Sequence, residues 1–261
     1  MPRALAICKC DDTGMANACF HFHSVLNDFL PAEQVGILVP YVFAGRPAIK
    51  DAIEASGIPH TEVAVITVNG SAVGFDYGLQ DLDNVDIYPH VSHPDVDAAL
   101  LQSFLPDGKP AFVLDVHLGK LARFMRTAGF DTVYTTTDPG DALIAEIADT
   151  QNRIVLTRDT GLLKRSRIRY GYWLRETQSR AQFREVVGHY RLKKYFIPFS
   201  RCSHCNGQVN IVEKEQVSTQ LPVGVADDPL LTQFVQCEDC GHVYWQGSHY
   251  THMQRLFDSV C

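Results

Sequence analysis

Between residues 110 and 174 short apolar runs alternate with helical stretches, and that succession leaves very few folds open. AFVLD (111–115) is almost continuously apolar, as a strand is when both of its faces are covered. HLGKLARFMRTAG follows as a helix with Leu118, Leu121, Ala122 and Met125 on one face and Gly129 as its stop. DTVYTT, DALIAEIADT and RIVLT continue as strand, helix and strand; GYWL and SRAQFREVVGHYRL add a further strand and helix. A βαβαβ succession implies a parallel sheet with right-handed crossovers. An α/β domain is therefore expected over about 110–198.

Three aspartates stand just past these apolar runs: Asp115 ends AFVLD, Asp141 opens DALIAEIADT, and Asp159 follows RIVLTR. The carboxyl ends of neighbouring parallel strands open into one crevice, where ligands and chemistry usually sit. Three carboxylates there form a hard-oxygen site suited to Mg²⁺ or Mn²⁺, able to activate water against a phosphodiester. Local roles compete with this reading. Asp138 before Pro139 fits a helix N-cap, Asp141 in the first turn suits the helix dipole, and Asp159 before Thr160 suits a cap for GLLKRS. Asp115 has no such turn signal. Their shared location favours a common site, and with it a metal-dependent nuclease.

Cys202-x-x-Cys205 and Cys237-x-x-Cys240 form a second metal motif. Each pair makes a tight knuckle presenting two thiolates, and two knuckles complete a tetrahedral four-cysteine site for Zn²⁺. With all four positions filled by sulfur none remains for water, so this zinc is structural. His204 and His242, beside the knuckles, are read as spectators. Cys8, Cys10, Cys19 and Cys261 lack partner spacing and are read as free thiols. His117 and His189 show no partner geometry either. The zinc ribbon is expected over 199–261.

The N-terminal segment has a different grammar. After a tail (1–17), ACFHFH and VGILVPYVF read as strands and RPAIKDAIEASGIP as an amphipathic helix stopped by Gly57 and Pro59. EVAVITVNGSAVGF reads as a hairpin turning at Asn69-Gly70, and NVDIYP as a last strand. That order is the ubiquitin-like β-grasp order, expected over 18–90. It resembles the small sulfur-carrier proteins but lacks their terminal Gly-Gly, which points to an interaction module. A linker (91–109) carries proline, glycine and aspartate around a short helical stretch, DVDAALLQSFL.

Composition excludes some classes. The chain is 46% hydrophobic and 20% charged, without a run approaching the ~20 apolar residues of a membrane span or the core of a secretory signal. A soluble, cytoplasmic protein is expected, in which cysteines bind metal more readily than they form disulfides. The net charge of −7 is segregated. Residues 1–105 carry four basic against thirteen acidic side chains, whereas 106–200 carry sixteen against ten. Within 160–200 ten basic residues face only Glu176 and Glu185, a composition suited to a polyanion. Tyr170, Tyr172 and Trp173 interleave with these cations and are candidates to stack bases, with burial in the sheet core an equal alternative for two of them.

At FVLDVHLGKLARFMRTAGFDTVY, TTDPGDALIAEIA and RIVLTRDTGLLKR the chain resembles the Mut-seven C-terminal RNase domain family, and the likeness continues through both cysteine pairs. VLNDFLP, GRPAIKDAIEASGIPHTEV and ITVNG resemble the ubiquitin-like domain often fused to it. The resemblance, over about 17–245, implies a PIN-like parallel-sheet nuclease with a fused zinc ribbon. By position it makes Asp115, Asp141 and Asp159 the acidic cluster binding Mg²⁺ or Mn²⁺, and it matches Arg123 and Arg158 to recurring basic positions. Lys164 and Arg165 would join them in holding phosphates. RNA is implied as substrate only by the resemblance, together with a protein partner for the ubiquitin-like domain. The alternative is a non-catalytic RNA- or ribosome-binding zinc-ribbon protein.

Overall fold

The structure, a computed structural model, describes residues 15–90 and 104–260. The N-terminal tail before Met15 and the linker up to residue 103, where a short helical stretch is expected, lie outside the described residues. The chain divides into two compact units: the residues up to Phe104 together with Asp159–Trp173, and Leu105–Arg158 together with the described residues from Leu174 onward.

In the first unit, β1 (Ala16–Phe22), β2 (Val39–Phe43), α1 (Ile49–Ala55), β3 (Val63–Val68), β4 (Ser71–Val73) and β5 (Asn84–Pro89) form a sheet in the order β2-β1-β5-β3-β4. β1 runs parallel to β5 and the other pairs are antiparallel, which is the β-grasp arrangement. Period-two alternation sends Phe20, Phe22, Val85 and Ile87 inward, against Ile49, Ala52 and Ile53 of α1. β1 starts two residues before the legible alternation because Ala16 and Asn17 pair with Phe43 and Val42. Asn69 (φ 51°) and Gly70 (φ 83°) both take the left-handed backbone that a two-residue hairpin turn requires. Cys19, expected as a free thiol, is disulfide-bonded.

Asp159–Trp173 is held in this unit by buried polar bonds. The buried ring of His60 spans Glu54 (Nδ1···Oε1 2.6 Å) and the Ile168 carbonyl (Nε2···O 2.8 Å). The Trp173 amide donates to Glu62 Oε1 at 2.7 Å, Lys164 Nζ donates to the Glu54 carbonyl at 2.8 Å, and the Trp173 ring lies 4.9 Å from Phe29.

The second unit opens with β6 (Phe112–Leu114), α2 (Gly119–Thr127), β7 (Thr132–Val133), α3 (Asp141–Thr150) and β8 (Ile154–Thr157). β6 lies between β7 and β8, parallel to both, with Val113 opposite Val133 and Val155. Every residue of β6 and β8 is buried, as the continuous apolar runs require. Gly129 ends α2 at φ +95°, where a Cβ would lie 2.4 Å from the Ile197 carbonyl oxygen. The chain then passes through α4 (Thr160–Leu163) and β9 (Gly171–Trp173) of the first unit and returns as α5 (Ser179–His189).

The remainder is a small antiparallel sheet, β10 (Val209–Val212), β11 (Phe234–Cys237) and β12 (Val243–Trp245), with the short helices α6 (Lys214–Val217) and α7 (Val223–Ala226) inserted after β10. Val217, Leu221, Phe234 and Val243 form its core. α8 (Ser248–Asp258) closes the chain, its Phe257 ring 5.8 Å from Phe183 of α5 and 5.5 Å from Phe196. No described helix is long and apolar enough to cross a membrane.

Candidate functional site

The two cysteine pairs converge. Cys202 and Cys205 lie on the turn before β10, Cys237 ends β11, and Cys240 lies in the turn to β12; their four Sγ atoms are within 4.8 Å of one another. Cys202 and Cys240 stand 3.6 Å apart and Cys205 and Cys237 3.4 Å. Thiolates around a tetrahedral zinc, with Zn–S about 2.3 Å, stand about 3.8 Å apart, so the donor set fits that ion. A disulfide is excluded at these separations, since it needs about 2.05 Å. A Cβ at Gly207 would crowd the Asp239 carboxylate and lie 3.0 Å from Cys237 Sγ, so a side chain there would press on the cluster.

The Tyr244 hydroxyl sits 3.0 Å from Cys202 Sγ. Burial works to raise the Cys202 thiol, but the Tyr244 hydrogen bond and the amides of Cys205 and His204 bring it down to about 7. Burial pushes the thiols of Cys205, Cys237 and Cys240 up. His204 and His242 stand with ring centroids 6.1 Å apart and are not members of the sulfur group.

Two residues not singled out by the sequence tie this knuckle to the parallel sheet. Arg126, on α2 and only 4% exposed, donates from Nε to the Thr132 carbonyl (2.9 Å) and from Nη1 to those of His204 (2.7 Å) and Ser203 (3.4 Å). Asp131, just before β7, accepts from Arg153 Nη1 and from Asn206 Nδ2, both at 2.8 Å, and pairs with Arg201 at 3.6 Å. Burial works to raise the Asp131 carboxyl, yet the bonds from Arg153 and Asn206 outweigh it and hold the pKa below the usual value. The available signal was Arg126's position four residues after Ala122, on the stripe that α2 buries.

The opposite, carboxyl edge of the sheet carries Asp115. Asp115 directly follows β6; its Oδ2 accepts the Thr157 hydroxyl at 3.0 Å, and its amide donates to Leu156 at the end of β8. Asp141 is the first residue of α3, reached from the carboxyl end of β7. Gly140, not Asp138, occupies the N-cap position. Asp138 Oδ1 instead accepts the Gly140 amide at 2.8 Å, a side-chain turn two residues earlier that displaces the expected cap. Asp159 caps α4, its Oδ1 accepting the Gly161 amide at 2.7 Å, as the local reading expected. Among the described residues, two groups bring potential metal ligands within 4.8 Å of one another: the four cysteines, and His21, His23 and Asp86. The three aspartates do not form such a group.

Arg123 is exposed on α2, and Arg158 is exposed with Nη1 donating to the Glu176 carbonyl at 3.0 Å. Arg165 is exposed; Lys164, half-buried, makes the bond to Glu54 described above. Tyr172 is buried (7% exposed) and Trp173 packs on Phe29, leaving Tyr170 as the half-buried member of the trio without a described core role.

The family model described as the Mut7-C RNAse domain matches residues 110–257, and that of the Mut7-C ubiquitin domain matches residues 15–95. The chain belongs to the Mut7-C RNAse domain family. The Mut7-C RNAse match takes in the parallel sheet, α5 and the cysteine cluster, and the Mut7-C ubiquitin match takes in the β-grasp sheet. No curated protein and no solved structure matches the chain.

Proposed function

We propose that this chain is a metal-dependent ribonuclease whose acidic site lies at the carboxyl edge of the parallel sheet. The observation that supports the reading is the Mut7-C RNAse match over residues 110–257, within which Asp115 directly follows β6. Asp115, Asp141 and Asp159 would hold Mg²⁺ or Mn²⁺, hard ions that oxygen donors suit and that lower the pKa of a bound water. The Thr157 hydroxyl fixes the rotamer of Asp115 by occupying Oδ2. Arg123 and Arg158, with Arg165 and Lys164, would bind phosphates flanking the cleaved bond, a use for which guanidinium geometry is suited. Cys202, Cys205, Cys237 and Cys240 would hold structural zinc. On this reading the domains are a β-grasp over 18–90, the nuclease over 110–198 and the ribbon over 199–261, and RNA is the partner.

The test is cleavage of end-labelled RNAs with Mg²⁺ or Mn²⁺. Asp115→Asn keeps an oxygen for the Thr157 bond while removing the charge. Cleavage should fall at least ~100-fold, with thermal stability and RNA affinity retained. Metal-dependent cleavage by the variant at the wild-type rate rejects the assignment. One observation favours the second reading, a non-catalytic RNA-binding ribbon. A cavity of about 310 Å³ is lined by Phe199, Arg201, Tyr244, Trp245, His249 and Tyr250, aromatic and cationic surfaces of the kind that stack bases. That reading predicts RNA binding without cleavage in any metal.

A further inference from the structure

We infer that the first unit carries an exchangeable zinc site built from His21, His23 and Asp86, separate from the cysteine cluster and from the nuclease acids. The three residues stand together because of strand register. β1 and β5 are parallel with His21 directly opposite Asp86, so both side chains rise from the same face of the sheet. That face is the one turned away from Phe20, Phe22, Val85 and Ile87. His23 lies two residues beyond His21, past the end of β1, and its backbone amide donates to the Ile87 carbonyl at 3.0 Å. The ladder thus extends far enough to keep His23 on the same face. Tyr88, two residues after Asp86, stacks on the His23 ring at 4.1 Å and 9° and holds its plane.

The donor atoms are aimed at one point. His21 Nδ1 lies 3.2 Å and His23 Nε2 lies 2.8 Å from the same oxygen, Asp86 Oδ1, and the two imidazole centroids are 4.1 Å apart. Around zinc, with Zn–N and Zn–O near 2.0–2.2 Å, neighbouring ligand atoms stand about 3.3 Å apart in a tetrahedron. The two nitrogen–oxygen spacings are therefore already close to what zinc ligands need, and all three ligand atoms lie within 4.8 Å of one another. On binding, each imidazole would present a lone pair to the ion and carry its proton on the far nitrogen. Two imidazoles with one carboxylate select a borderline ion such as Zn²⁺ over Mg²⁺ or Ca²⁺, which favour all-oxygen sets. His21, His23 and Asp86 side chains are 30%, 25% and 37% exposed. A fourth position for water remains on the open side, so the ion exchanges freely, unlike one enclosed by four thiolates.

The experiment uses the full chain with one zinc per molecule already in the cysteine site, titrated calorimetrically with Zn²⁺ near neutral pH. Wild type is expected to take up one further equivalent. His23→Ala and Asp86→Asn should each weaken it by more than the ~10–100-fold that loss of an outer-shell partner brings. As a readout that needs no variant, the ring proton signals of His21 and His23 should shift together as the second equivalent is added. Absence of a second equivalent, unchanged affinity in both variants, or shifts confined to other histidines would each overturn the site.

Discussion

Replacing Arg126 by methionine tests whether one buried cation joins the ribbon to the nuclease sheet. Methionine keeps most of the aliphatic volume and removes the donors. Two good bonds are lost, to Thr132 at 2.9 Å and to His204 at 2.7 Å; the 3.4 Å contact to Ser203 counts for little. Each bond from a charged donor contributes ~1.5–3 kcal/mol, and the carbonyls left behind lose their partner. Against this stands the cost of burying the guanidinium, visible in a pKa that burial holds below the ordinary value despite Cys202, Cys205 and Asp131 nearby. The balance is a loss of about 3 kcal/mol, in line with removal of one partner from a buried charged network. For a unit of this size that lowers Tm by roughly 6–12 °C. The loss should also reach the metal, because the carbonyls belong to the knuckle of Cys202 and Cys205. Zinc affinity measured against a competing chelator should fall by ~10–100-fold, as for other outer-shell partners. Arg126→Lys keeps the charge but cannot span both carbonyls, and should recover only part of each effect. A methionine variant within ~2 °C of wild type that holds zinc equally well would refute the reasoning.

Gly129→Ala meets the Ile197 carbonyl at 2.4 Å with a backbone at φ +95°, and should cost at least ~2 kcal/mol, read from the urea midpoint. Acid should act through Asp131. Its folded pKa lies below the unfolded value of about 3.9, so its stabilisation is full above that value and lost as pH falls through the depressed one. An Asp131→Asn variant should lack that part of the acid slope, and an identical pH profile would count against the Arg153–Asp131–Arg201 network. Stripping zinc with a strong chelator should abolish amide protection in β10–β12 while Val113 and Val155 stay protected, because the ribbon core holds few large apolar side chains. Retained protection in the ribbon would show that its fold stands without metal.

Local signals foretold the elements whose causes are local. β6 and β8 are legible because a strand covered on both faces must be apolar throughout, and the β3–β4 turn because Asn69-Gly70 accepts left-handed backbone. The cysteine spacing states its own chemistry. What escaped depends on partners distant in sequence. Asp159–Trp173 follows a strand of one unit yet packs in the other, through His60 with Ile168 and Glu62 with Trp173 across more than a hundred residues. No periodicity records such a choice. Tyr172 is core and Trp173 packs on Phe29, the burial reading for two of the three aromatics; which two it would be is not legible, since aromatic residues among cations look alike whether buried or exposed. His21 and Asp86 are brought together by parallel register 65 residues apart, which alternation alone cannot disclose.

The second unit sets the cysteine cluster and Asp115 at opposite edges of one parallel sheet. Asp131 stands just before β7 and Thr132 opens it, and both bond Asn206 beside the cysteine knuckle, so the sulfur site docks at the amino edge. Asp115 follows β6 at the carboxyl edge, with Thr157 at the end of neighbouring β8 bonded to it. A strand of three residues spans about 10 Å, enough to keep soft thiolates and hard carboxylates out of one coordination sphere. With four thiolates a zinc ion has no position for water, so on the proposed reading any hydrolytic chemistry of this unit would fall to the oxygen edge. On that reading the ribbon would cover the amino edge and offer the Trp245 and Tyr250 cavity to RNA. Substitutions in that cavity, such as Trp245→Ala, should therefore change how tightly RNA binds, whereas substitutions at Asp115 should change how fast it is cut. A Trp245→Ala variant that slows single-turnover cleavage at saturating RNA, with binding unchanged, would break that division of labour.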